Sequence, residues 1–353
     1  MNCVSEQPDV SVVIPVYNGA PWIGATLDSL TAQTLTNWEA IIVDDCSPDT
    51  VADIVAAWPD PRVKMVRMDA NGGPVRARNR GVAEACGRYI AGLDQDDLCR
   101  PERFARQVAY LDEHPDVALL ATQAEQLISD QVAPMNYAVE TTPSLVRWLT
   151  WIENPLVWST VMVRAEIAQT MSPFTRPEIL YAEDFDLYHR ITAHGEIARL
   201  DTPLLIYRQH DGGASKRFID TMQASATRVL TEHHRDLLGS DSEAIAELLI
   251  LYNMAKQPVP DRATLVALGN GMARLHRAYI DRYQPTTGER RMVDRETALR
   301  WHRICRIGLR TGTLTLADIA ATRHDGIFDP ATPALLPSAA IGAIRRLRQT
   351  LAA

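Results

Sequence analysis

Three carboxylates crowd the end of an apolar run in the stretch GLDQDDLCRP, residues 92–101, where Asp94, Asp96 and Asp97 follow YIAGL. Like charges gathered where a buried strand surfaces are costly unless a cation or a set of donors neutralises them. Hard divalent cations such as Mg2+ and Mn2+ take carboxylate oxygens and keep positions open for phosphate oxygens. Asp94 and Asp96 lie two apart, so both can converge on one ion once the strand gives way to a turn. A second reading uses the same residues: Pro101 and the apolar spacing after it start a helix that Asp96 or Asp97 could cap. On spacing alone the two readings stand even.

Further polar clusters follow other apolar runs. MDANGGPVRARNRG (68–81) sets two glycines and a proline before a helix carrying Arg76, Arg78 and Arg80. That arrangement suits phosphate, though taken alone a plain helix start with a solvated basic face is the better reading. VDDCSPDT (43–50) adds Asp44 and Asp45, with Ser47 and Pro48 opening a helix. Glu183 and Asp184 begin a helix in AEDFDLYHRI, where two first-turn acids either complement the helix dipole or supply a base. His210, in YRQHDGG, is by residue type alone a loop histidine.

The elements that must hold these residues alternate. DVSVVIPVY (9–17) and EAIIVDD (39–45) read as strands flanking a helix in PWIGATLDSLTAQT (21–34), and a second unit repeats the pattern with a strand at 62–69, a helix at 74–85 and a strand at 88–94. Near-continuous apolar strands separated by helices predict a mostly parallel sheet covered on both faces. Ligands bind such sheets beyond the carboxyl ends of the strands, which is where the acids fall. A helix at 101–113, strands at 116–122 and 157–164, a helix at 182–195 stopped by Gly195, and short strands near 196–200 and 204–209 complete this half. Helical patterns then occupy 218–238, 241–256, 260–283 and 290–309. The expected class is α/β, with one domain over 1–216 and a helical C-terminal region over 217–353.

The bulk properties narrow the function. Of 353 residues, 46% are hydrophobic and 23% charged, the profile of an ordered globular protein. Five cysteines, Cys3, Cys46, Cys86, Cys99 and Cys305, are odd in number with no CxxC pair, which argues against disulfides and structural zinc. The N-terminus MNCVSEQPDV lacks the pattern of a leader and no eighteen apolar residues run together, so a cytoplasmic protein is expected. A net charge of −8 argues against nucleic acid as a partner. Residues 281–353 differ, holding twelve Arg against seven Asp and Glu.

VSVVIPVYNG, IIVDDCSPD, NGGPVRARNRG, GRYIAGLDQDD, AEDFDLYHRI and YRQHDGGAS resemble, in order and spacing, the family 2 glycosyltransferases. The resemblance covers residues 9–216. It implies that the domain over 1–216 is a catalytic one, GT-A-type and Rossmann-like, and inverting transfer from a nucleotide sugar (a UDP-, GDP- or dTDP-sugar) with Mn2+ or Mg2+. Pro15, Tyr17 and Asn18 match the segment around base and ribose, Asp45 the acid that reads the base, and Arg78 the basic residue near base and phosphates. Asp94 and Asp96 match the DxD signature that meets ribose and metal, and Asp97 is a third acid that either assists or caps the next helix. Glu183 and Asp184 match the ED pair, Asp184 as general base, and His210 a position near the metal or diphosphate.

The resemblance also implies a saccharide or lipid-linked acceptor and a role in surface polysaccharide assembly. TALRW (297–301) has Thr297 where the related processive synthases carry Gln, so transfer of one or a few sugars is expected, with Arg300 and Trp301 part of an amphipathic helix. A sugar-nucleotide pyrophosphorylase and a non-catalytic nucleotide-sugar-binding protein are the alternatives. SAAIGAIRRLRQTLAA (338–353) places Ile341, Ile344, Leu347 and Leu351 on one helical face and arginines on the other. Such a helix packs on the protein or on another subunit, or lies peripherally on an anionic membrane at its inner face. Trp148, Trp151 and Trp158 line a sugar cleft or pack in the core, the core being expected for at least two.

Overall fold

The structure, a computed structural model, describes residues 7–135, 138–210, 212–322 and 332–352. Cys3 and the rest of the N-terminal hexapeptide, and Asp211 of the YRQHDGG segment, lie outside the described residues. The chain forms two compact units, Met1–Pro143 with Pro155–Met222, and Ser144–Asn154 with Gln223–Ala353.

The first unit is built on a mixed sheet with the strand order β3-β2-β1-β4-β8-β6-β9-β5 and β7 added to β6. The strands β1 (Val10–Val16), β2 (Trp38–Asp44), β3 (Val63–Arg67) and β4 (Tyr89–Gly92) run parallel, linked by helices α1 (Ile23–Thr31), α2 (Val51–Ala56) and α3 (Pro74–Glu84). β1, β2 and β4 are buried along nearly their whole length, which is why they read as continuous apolar runs rather than alternating ones. Gly81 lets α3 press on β1, since a Cβ there would fall 2.4 Å from Val13 Cγ1.

Beyond β4 the chain departs from simple alternation. The short β5 (Leu98–Cys99) and helix α4 (Arg103–Glu113) lead to β6 (Val117–Ile128), which pairs parallel with β9 (Glu196–Arg208) over most of its length and antiparallel with β7 (Gln131–Pro134) and β8 (Met162–Arg164). The strand expected at 157–164 is in fact a 3-10 turn over Trp158–Thr160 followed by the three-residue β8. The two strands expected near 196–200 and 204–209 are one, because register shifts opposite Thr122–Ala124 absorb Pro203 without ending the ladder. Helices α5 (Pro143–Thr150), α6 (Ala165–Thr170) and α7 (Glu183–Ile191) precede β9, and the four-residue α8 (Ala214–Arg217) follows it.

Helix α9 (Ile219–Leu238) leads into the second unit, which comprises α10 (Ser242–Leu248) with a π-helical continuation to Met254, α11 (Arg262–Tyr283), α12 (Thr287–Thr311), α13 (Leu316–Ala320) and α14 (Thr332–Ala352). Thr286 and Glu289 form a capping box at the start of α12, and Gly312 ends it at φ 89°, a conformation glycine adopts without strain. Trp148 and Trp151 are core residues of this unit, 0% and 4% exposed, and Trp148 Nε1 donates to Thr297 Oγ1 at 2.9 Å. Thr297 therefore serves a buried contact within this core. Arg300 is buried beside it and pairs with Glu153 and Glu296, and Trp301 is 1% exposed, so both residues of the RW pair serve this core.

Candidate active site

At the carboxyl end of β4 the backbone leaves the sheet between two anchors. Asp94 N–H donates to Ser159 Oγ at 3.0 Å, and the Thr26 hydroxyl is bonded to the carbonyls of Gln95 and Asp97. Gln95 clamps the end of β1: its Oε1 accepts from Tyr17 N–H at 2.9 Å and its Nε2 donates to Tyr17 O at 3.2 Å. Gly19 leaves room for this clamp, since a Cβ would sit 2.5 Å from Gln95 Oε1 and displace it. No sequence signal marks Gln95, because a lone glutamine between two acids carries none; only the juxtaposition of β1 and β4 gives it a partner.

Asp97 does not cap the next helix. That helix begins at Arg103 with Glu102 at its N-cap, and Asp97 is instead fully buried. Its Oδ1 accepts from Arg208 N–H at 2.9 Å, while Arg208 Nε donates to Asp96 O at 3.0 Å. The end of β9 is thereby tied to the acidic loop. Burial, then repulsion from Asp94 and Asp96, pushes the Asp97 carboxyl well above the usual carboxylate range. His210, two residues after Arg208, places Nε2 2.7 Å from Asp96 Oδ2, and its ring lies 4.8 Å from that of Trp22, over which the Arg208 guanidinium also sits. Sequence reasoning assigned neither Trp22 nor Arg208 to the site; Trp22 reads only as an apolar position of the helix expected over 21–34, and it is the N-cap of α1.

The ends of β1 and β2 carry the other expected residues. Pro15 is the partly buried penultimate residue of β1, Tyr17 is 45% exposed, and Asn18 is exposed with a left-handed φ of 53°. Asp45 is buried, and its two carboxylate oxygens accept from Gly72 and Gly73 N–H, both at 2.8 Å. It holds the NGG loop that opens α3, and Gly73 takes φ 84° to present its N–H. Cys46 (φ 60°) and Tyr181 (φ 61°) share the left-handed conformation of Asn18, as do Ser129, Asp130, Lys256 and Gln284 elsewhere in the chain. Tyr181 is stacked on Phe218 at 4.4 Å.

Arg78 and the ED pair meet across 105 residues of sequence. Arg78, on the buried face of α3, is 4% exposed and bonds Glu183 Oε1 through Nη1 at 2.5 Å; its guanidinium lies 4.1 Å over the Trp158 ring. Gly92 admits that ring, as a Cβ there would fall 2.6 Å from it. Trp158 is thus buried packing, 8% exposed. Glu183 is the buried first residue of α7, and half-buried Asp184 is the second, with Oδ1 accepting from Phe185 N–H at 2.7 Å. Asp186, further round the turn, is paired with Arg176 and Arg190 and braces the helix start.

Asp94 feels this whole assembly. Burial pushes its carboxyl up to about 7; the Arg78 guanidinium pulls it back, and the carboxylates of Asp96, Glu183 and Asp184 push it up again. The structure therefore brings Arg78, Asp94, Asp96, Glu183, Asp184 and His210 into one electrostatic neighbourhood, and places Asp45 with the NGG loop at the end of β2. The carboxyls of Asp94 and Asp97 are pushed up by burial and by their acidic neighbours, a repulsion that a bound cation would relieve. Among the described residues no group of three or more His, Cys, Asp and Glu is placed to hold a metal ion, and the closest approach in this loop is that of His210 to Asp96. The donor set, carboxylate oxygens with an imidazole beside them, fits a hard cation that completes its shell with phosphate oxygens.

Comparison with known proteins agrees with this geometry. The model of glycosyl transferase family 2 matches residues 11–170, which contain β1 to β8 and the acidic loop. The succinoglycan biosynthesis protein ExoO of Rhizobium meliloti is 44% identical over 109 residues, 31% of each chain, and the putative teichuronic acid biosynthesis glycosyltransferase TuaG of Bacillus subtilis is 38% identical over 107 residues, 30% of this chain and 42% of that one. The match thus spans less than half the length of either relative. Among solved structures, S. aureus TarS 1–349 in complex with UDP-GlcNAc superposes with a TM-score of 0.55 at 19% identity, covering 85% of this chain and 90% of that one. The mannosyltransferase PcManGT of Pyrobaculum calidifontis, in complex with GDP-Man and Mn2+, gives 0.51 at 17% identity, covering 97% and 88%. Residues 11–170 of this chain thus match glycosyl transferase family 2, and most of the chain shares its fold with these solved structures.

Proposed function

We propose that the chain moves a sugar, with inversion, from a nucleoside-diphosphate donor to a saccharide or lipid-linked acceptor in the cytoplasmic assembly of a surface polysaccharide. The convergence of Asp94, Asp96, Glu183 and Asp184 around Arg78 carries this reading, since sugar transfer from a nucleoside diphosphate needs a cation-holding loop and a separate carboxylate base in one place. The biosynthetic names of ExoO and TuaG support the polysaccharide role. The catalytic machinery belongs to the first unit, with the helical region as a separate unit.

Asp94, Asp96 and His210 would hold Mn2+ or Mg2+. Bound there, the cation offsets the charge that builds on the departing diphosphate. Pro15, Tyr17 and Asn18 frame the nucleoside beside the NGG loop that Asp45 orders. Asp184 accepts the proton of the acceptor hydroxyl as that oxygen bonds to the anomeric carbon, while the bond from that carbon to the phosphate oxygen breaks and its electron pair leaves with the diphosphate. Glu183, committed to Arg78, acts as a positioning residue that fixes the start of α7 and so the aim of Asp184.

A thermal-shift panel of UDP, GDP and dTDP with and without Mn2+ tests donor binding; stabilisation by one nucleotide that grows with Mn2+ is expected. No shift with any nucleotide in either condition refutes it. Asp184→Asn should keep the shift and lower transfer by roughly 10^2- to 10^4-fold, and wild-type turnover in that variant removes Asp184 as the base.

A further inference from the structure

We propose that α14 is a docking surface for an anionic phospholipid bilayer, a property separate from the transferase reading. The helix has two apolar faces with different fates. Leu335 and Ser338 are buried, and Gly342 lies so close to α12 that a Cβ would collide with the Leu309 carbonyl oxygen. This face is the packing face. It replaces the one expected from sequence, for Ile341 is only half-buried and Ile344 is exposed, while Leu351 and the side chains of Arg346 and Arg348 lie outside the described residues.

The second face runs through Leu336, Ala340, Ala343, Ile344 and Leu347, spaced by three and four residues so that they form one stripe. All five are exposed, with Leu336 at 54%, Ile344 at 53% and Leu347 at 63%. Packing on α12 uses the other side of the helix, so no core demand explains leucine and isoleucine here. Charge decides what covers them. Residues 332–353 contain no Asp or Glu and three arginines, Arg345, Arg346 and Arg348, of which Arg345 is exposed. Two copies of the chain meeting through this stripe would set arginine against arginine with no carboxylate from the helix to pair them. An anionic headgroup layer supplies the opposite charge at the level where the aliphatic side chains enter the acyl boundary. No described helix is long and apolar enough to cross a membrane, so the contact is one of a helix lying in the interface plane.

The test is co-sedimentation of the full chain with vesicles of phosphatidylcholine alone and of phosphatidylcholine containing about a third phosphatidylglycerol. Binding to the anionic vesicles, weakened several-fold by high salt and at least tenfold by the double substitution Ile344→Asn, Leu347→Asn, is expected. Both positions are exposed, so the variant should melt at the wild-type temperature and keep its nucleotide-dependent shift, which separates this test from that of donor binding. Equal or absent binding to the two vesicle types overturns the proposal. So does anionic binding that the double variant retains, or a dimer in sedimentation velocity that the variant abolishes while vesicle binding is absent.

Discussion

Removing the Arg78 guanidinium is the sharpest perturbation of the site. Arg78 and Glu183 are about 5% exposed at the side chain, and Glu183 Oε2 has no hydrogen-bond partner, so the pair stands on one short contact and the stack on Trp158. Arg78→Met keeps the bulk of the side chain and leaves a buried carboxylate without its counter-ion. Breaking one partner of a buried pair costs about 3–5 kcal/mol, which in a unit of this size lowers the melting temperature by roughly 6–20 °C. Calorimetry of Arg78→Met, Glu183→Gln and the double variant forms a cycle that isolates the pair. The double variant should recover at least half of the loss, since neither member of the pair is then left charged without its partner. A loss below about 1 kcal/mol in Arg78→Met, or no recovery on adding Glu183→Gln, would show that the pair is solvent-screened and that the electrostatic account of the site is wrong.

Other consequences follow from the same physics. Asp97→Asn should be tolerated and leave the Mn2+ response of the melt intact, because the carboxyl serves as a buried acceptor for Arg208 N–H; loss of the metal response would make it a ligand. Gly92→Ala should destabilise by about 1–3 kcal/mol through overpacking against the Trp158 ring, and an unchanged denaturation midpoint would refute that contact. In the second unit, burial lowers the His234 imidazole to about 4, and its Nε2–H donates to Trp151 O at 2.7 Å. The folded value lies below the unfolded one, so its contribution is complete above about pH 6.5 and is lost as pH falls toward 4; between pH 6.5 and 5 the loss is roughly 2 kcal/mol. Urea titrations across that window should show the slope, and His234→Leu should flatten it; equal slopes in both proteins would discount the histidine.

The sequence by itself determined the first four strands, the helices between them, the placement of the acids at strand ends and the helical nature of the C-terminal region. Each of these is written in local periodicity: β1, β2 and β4 are apolar throughout because both faces are covered, and Pro74 or Gly195 marks an element end within a residue or a few. Tertiary structure alone decided the partners. Asp97 looks like a helix cap locally, yet it is spent on the backbone of Arg208, 111 residues away. Arg78 looks like one of three solvated arginines on a basic face, yet the register of α3 against β1, set by Gly81 beneath Val13, turns it inward to Glu183. Gln95 and Trp22 carry no motif and acquire roles from the approach of β4 to β1 and of β9 to the acidic loop. Periodicity records which side of an element is buried. What it is buried against depends on contacts between residues far apart in the chain, and no local pattern encodes them.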